Sequence, residues 1–65
     1  MLLYDKNRVQ IQECLQLVSI SNQQITVKCK YNQIIVSGND LKIMEFGQQQ
    51  IIITGKIENI GILYA

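Results

Sequence analysis

Ile25-Thr26-Val27-Lys28-Cys29-Lys30-Tyr31 is the stretch that decides the fold class. Ile25, Val27, Cys29 and Tyr31 alternate with Thr26, Lys28 and Lys30, and a period of two puts the first set on one side of an extended chain and the second on the other. This is a strand with one apolar and one wet face, and its two lysines also discourage sideways pairing. The same alternation holds for Val9 and Ile11 among Arg8, Gln10 and Gln12. It returns where Leu41, Ile43 and Glu45 share one face and Lys42, Met44 and Phe46 the other. No stretch keeps an apolar stripe at i, i+3, i+4 for three turns, so no helix is expected.

Turn signals separate these strands at Ser21-Asn22-Gln23, Tyr31-Asn32-Gln33, Ser37-Gly38-Asn39-Asp40, Gly47-Gln48-Gln49 and Thr54-Gly55-Lys56. Gly38, Gly47 and Gly55 therefore read as turn glycines. No GxGxxG or GxxxxGK[ST] surrounds them, and no helix follows to bind a phosphate. Strands are expected to begin near Val9, Leu15, Ile25, Ile34, Leu41, Ile51 and Ile57, a spacing of about six to ten residues. The chain reads as a single all-β domain over residues 1–65, a small antiparallel β-meander or a two-layer sandwich of short strands. An internal echo adds an alternative. Gln33-Ile34-Ile35-Val36-Ser37-Gly38 recurs as Gln50-Ile51-Ile52-Ile53-Thr54-Gly55, which is how a meander is written or how a short β-solenoid-like unit would stack on itself.

The echoed strands are apolar on both faces. Ile34 and Val36 point one way and Ile35 the other; Ile51 and Ile53 point one way and Ile52 the other. Such runs normally lie in the middle of layered structure, but 65 residues make at most two thin layers. Either the N-terminal Leu2, Leu3 and Tyr4 form a lid, or Ile35 and Ile52 are covered by another chain. The six residues Ile34, Ile35, Val36, Ile51, Ile52 and Ile53 are the candidate self-association or partner surface. Gly61, inside the last apolar run, reads as a bulge or a close backbone approach.

Composition narrows the chemistry. The 65 residues are 48% hydrophobic, with no His, Pro or Trp. Without His there is no imidazole base, no Ser-His-Asp or Cys-His system and no His metal ligand. Asp5, Glu13, Asp40, Glu45 and Glu58 are dispersed, with neither EF-hand nor paired-acid spacing. No enzyme, cofactor, metal or small-molecule substrate is expected. A net charge of +1, from six basic and five acidic residues, gives no field to gather nucleic acid. Cys14 and Cys29 lack CxxC spacing and read as reduced thiols, with a redox role as the alternative. Four residues ahead of Asp5 are too few for a signal peptide, and no uncharged stretch reaches the roughly 20 residues of a membrane helix, so a cytoplasmic protein is expected.

From Gln24 the chain reads Gln-Ile-Thr-Val-Lys-Cys-Lys-Tyr-Asn-Gln-Ile-Ile-Val-Ser-Gly-Asn-Asp-Leu-Lys-Ile. After a short spacer, Ile51 to Ile60 reads Ile-Ile-Ile-Thr-Gly-Lys-Ile-Glu-Asn-Ile. This order resembles the YabP/YqfC family of sporulation proteins. The positions that carry the likeness are Ile34, Val36, Gly38, Leu41, Ile43, Ile53, Gly55, Ile57 and Ile60. The resemblance implies a small non-enzymatic protein of endospore-forming bacteria, made in the mother-cell compartment, working beside a membrane-bound companion. It implies no catalytic residue.

The expected function is thus a sporulation-associated structural or adaptor protein. It would act as a homo-oligomer or by binding a partner at the developing spore envelope, peripheral to the membrane through that partner. The alternative is a small mobile-element or phage-type inhibitor or regulator that acts by protein–protein binding.

Overall fold

Alternation becomes six antiparallel strands in a computed structural model that describes residues 2–47 and 49–64, the side chains at positions 14 and 15 excepted. They are β1 (Leu2–Tyr4), β2 (Arg8–Gln12), β3 (Cys14–Ile20), β4 (Gln24–Cys29), β5 (Asn32–Phe46) and β6 (Gln50–Tyr64). One sheet holds them in the order β1-β2-β6-β5-β4-β3. Strands β3 to β6 are a meander, and the β1–β2 hairpin docks on the far side of β6. The described residues contain no helix, so the all-β reading holds.

Strands β5 and β6 have 15 residues each. Fully extended they would run roughly 50 Å at about 3.3 Å per residue, yet the molecule measures 26 × 21 × 19 Å. The hairpin must bend, and its register shifts between Ser37 and Gly38, Asn39 and Lys42, and Ile43 and Glu45. Gly38 and Gly55 lie at this bend, inside β5 and β6. They are therefore not turn glycines as the sequence predicts. Each is required by a close approach of backbones and not by a chain reversal. A Cβ on Gly38 would sit 1.9 Å from the Lys56 carbonyl oxygen. At Gly55 φ is +135°, and a Cβ would sit 2.6 Å from the Asp40 carbonyl oxygen. Asp40 itself takes a φ of 54°, a left-handed conformation that Asp tolerates better than most side chains. Of the three glycines, Gly47 does follow its strand, and its N–H donates to the Gln50 carbonyl at 2.9 Å in the β5–β6 turn.

The bend folds the sheet into two halves of equivalent order. One is β3-β4 with Asn32–Ser37 of β5 and Asn59–Tyr64 of β6; the other is β1-β2 with Gln50–Thr54 of β6 and Lys42–Phe46 of β5. Their inner faces share one core of Val9, Ile11, Ile25, Val27, Ile34, Val36, Leu41, Ile51 and Ile53. The sequence echo has a cause within this antiparallel sheet, with no stacked coils: the two repeats are the strands next to the outer hairpin in each half. The hairpins match as well. Asp5 Oδ1 accepts the Asn7 N–H at 2.8 Å, and Ser21 Oγ accepts the Gln24 N–H at 3.0 Å, each fixing its turn. The carbonyls of Asn7 and Lys6 then receive the N–H groups of Gly55 and Ile57, while those of Gln23 and Asn22 receive Gly38 and Leu41. One turn braces one side of the bend, and its counterpart braces the other.

Glu13, between β2 and β3, has a φ of 64° and donates its N–H to the Gln49 carbonyl at 2.8 Å. A left-handed residue with a Cβ is strained by roughly 1–2 kcal/mol, part of which glycine returns as unfolded-state entropy. Glu13→Gly is expected to stabilise the domain by about 0.5–1 kcal/mol. Urea denaturation checks this; an unchanged or lower midpoint refutes it.

Candidate self-association surface

The backbone register separates the six candidate residues into two groups. Ile34, Val36, Ile51 and Ile53 are core residues, each 5% exposed or less. Ile35 and Ile52 face outward and are half-buried, one on each half of the sheet. Their surroundings differ. Ile35 lies across from Thr26 and Gly61; Thr26 is itself buried although the alternation assigns it to the wet face. Ile52 lies across from Gln10 and Glu45. There Gln10 Nε2 donates to Gln50 Oε1 at 2.9 Å, and Gln50 Nε2 donates to Glu45 Oε2. The apolar side chain is framed by amides and a carboxylate, whereas Ile35 borders a residue without a side chain.

The N-terminal segment is no lid over either residue. β1 pairs edge-on with β2, with Leu3 opposite Gln10 in the same outer row as Ile52. Leu2 packs instead against the core from its border.

Sequence reasoning overlooked the end of β6. Ile62, Leu63 and Tyr64 are 40%, 56% and 77% exposed. Gly61 is neither bulged nor closely approached: it pairs in regular register with Ile35, and nothing lies within 4 Å of a Cβ placed there. The overlooked signal is that Asn59–Tyr64 carries no charge. Beside this strand an open groove of about 430 Å³ is lined by Leu2, Tyr4, Ile57, Ile60 and Ile62, together with the charged Asp5, Lys6 and Glu58. At the other end of the hairpin Met44 and Phe46 are exposed. The register shift after Ile43 changes the phase there, so that Phe46 pairs with Ile51 and Glu45 with Ile52.

Little here resembles reaction chemistry. Among the described residues no three Asp, Glu or Cys side chains gather as a metal site. Lys30 Nζ lies 5.3 Å from the centre of the Tyr31 ring, a cation–π pair at the exposed β4–β5 connection. The β3–β4 backbone register sets Cys14 opposite Cys29; Cys29 is half-buried, and the Cys14 side chain lies outside the described residues. No helix of the described residues is long and apolar enough to cross a membrane.

The bent β5–β6 hairpin carries a glycine at each side of its bend, at two of the positions on which the sequence likeness rests. A protein-family model, the YabP family, matches residues 1–63. The chain belongs to the YabP family. This YabP-family chain finds no match among curated proteins or among solved structures. Membership associates it with sporulation, in a family not known as enzymatic. Gly38 and Gly55, two of the positions that carry the sequence likeness, have a geometric role: both keep β5 and β6 in contact where the sheet turns over.

Proposed function

We propose that this YabP-family chain is a non-enzymatic structural or adaptor protein of sporulation that works by binding, to itself or to a partner, at the developing spore envelope. The observation that supports the reading is Ile35, an aliphatic side chain held on the outer face between a buried Thr26 and the side-chain-free Gly61, with Ile52 on the other half. Core packing accounts for Ile34, Val36, Ile51 and Ile53, but not for these two. The partner we propose for the same surface is a membrane-bound companion, and the protein would then sit at the membrane through it, in the mother-cell cytoplasm. The family match favours this over a mobile-element inhibitor.

The test is complementation. Ile35→Lys and Ile52→Lys, introduced in place of the native gene of the endospore-forming host, are expected to lower the yield of heat-resistant spores. The purified variants should keep their strand signal by circular dichroism, because both positions are outward-facing. Normal spore yield from the double variant would sink the surface reading.

A further inference from the structure

Sheet edges expose unpaired N–H and C=O groups, and natural proteins blunt them by shortness, bulges or charge. Four strand edges of this chain are open in the described structure. β1 has three residues. β3 is broken by register shifts between Cys14 and Gln16 and between Leu17 and Ser19. The β5 end, Lys42–Phe46, carries Lys42 and Glu45 and is interrupted by the shift after Ile43. Asn59–Tyr64 of β6 has none of these protections: it pairs residue for residue with β5, from Asn59 opposite Ser37 to Tyr64 opposite Asn32, and has no charge or bulge. It is a regular edge left ready to pair.

We infer that this edge pairs with the same edge of a second copy of the chain, antiparallel, about a two-fold axis through Gly61. The strand is complementary to itself in that register. Ile60 faces Ile62 of the second copy, Asn59 faces Leu63, and no like charges are opposed. Centring on Ile60 would set Glu58 against Ile62, and centring on Ile62 would carry Asn59 past the last described residue of the second copy. The Gly61 pair at the axis has space on its outer side, since nothing lies within 4 Å of either Cβ position. Tyr64 of the second copy arrives beside Glu58, which lines the groove together with Leu2, Tyr4, Ile57, Ile60 and Ile62. The four-stranded half becomes one continuous eight-stranded sheet. A closed two-fold pair also uses up the edge, so assembly through it stops at two. The inference deepens the binding role proposed above by naming a second copy and a site apart from Ile52.

Sedimentation of the purified chain tests it. A pair of five facing residues belongs to the small class of interfaces, under about 1,200 Å² in total, so a dimer that dissociates in the micromolar range is expected. Gly61→Lys sets two like charges against each other at the axis and is expected to weaken dimerisation about tenfold or more. Gly61→Glu should do the same. An equimolar mixture of the two should dimerise again, because Lys then faces Glu, and both variants should retain the wild-type thermal midpoint when all are melted at a concentration where the wild type is monomeric. A wild type that stays monomeric at several hundred micromolar overturns the inference, as does a mixture that stays monomeric. If Ile52→Lys dissociates the dimer and the Gly61 variants do not, the edge is wrong while the binding function stands.

Discussion

Gly38→Ala leaves this domain largely unfolded. The added methyl would lie 1.9 Å from the Lys56 carbonyl oxygen and 3.2 Å from the Glu58 nitrogen, and both are backbone atoms of β6. No rotamer relieves such a contact; β5 and β6 must separate. Separation breaks the register that carries the bend and removes the Gly38 N–H from the Gln23 carbonyl. A loss of about 4 kcal/mol or more is expected for strain of this kind, against a net stability of about 3–5 kcal/mol for a core this small. Gly61→Ala is the control, with open space at its Cβ position, and should change stability by less than about 0.5 kcal/mol. Amide-proton dispersion and thermal melting of the two variants decide the matter. A Gly38→Ala protein that melts like the Gly61→Ala protein would show that the strands are not in contact at the bend.

Ile53→Ala has the second-largest expected effect. Ile53 is fully buried, lies across from Val9 on one side and Ile43 on the other, and is one of the nine residues of the shared core. Truncating a buried Ile to Ala removes about 2–5 kcal/mol, through lost transfer energy and the cavity left behind. Ile52, one residue earlier, points to the half-buried outer face, and Ile52→Ala should lower stability by about 1 kcal/mol or less. Chemical denaturation of the pair measures the difference directly. Equal losses would mean that the inner and outer faces of β6 are misassigned.

The strand content and the inner face were legible because period-two alternation is a local property: Val9, Ile11, Ile25 and Val27 all reached the core as the pattern requires. The bend was not legible, since Gly38 and Gly55 carry the same composition signal whether the chain reverses or two backbones come into contact. What distinguishes the cases is the partner strand, whose contacting residue is Lys56 for Gly38 and Asp40 for Gly55, too far along the chain for a local reading to see. The shift after Ile43 defeated strict alternation for the same reason, reversing the faces expected for Glu45 and Phe46. Of the candidate surface, the sequence identified Ile35 and Ile52 as surplus to one face. It could not reveal that their neighbours are Gly61 and Glu45, because cross-strand contacts depend on register.

The shared course of β5 and β6 has a consequence for how the domain comes apart. Each half of the sheet takes two of its four strands from this one hairpin, and the hairpin crosses from one half to the other at the bend. Neither half is a contiguous segment that could be cut out and kept folded. Loosening Asn32–Ser37 frees the stretch of β6 that it holds, and loosening Gln50–Thr54 does the same to β5. Local opening in one half is therefore transmitted along the same covalent strands into the other, so the domain should melt in a single all-or-none step, with its slowest-exchanging amides on both sides of the Gly38–Gly55 crossing.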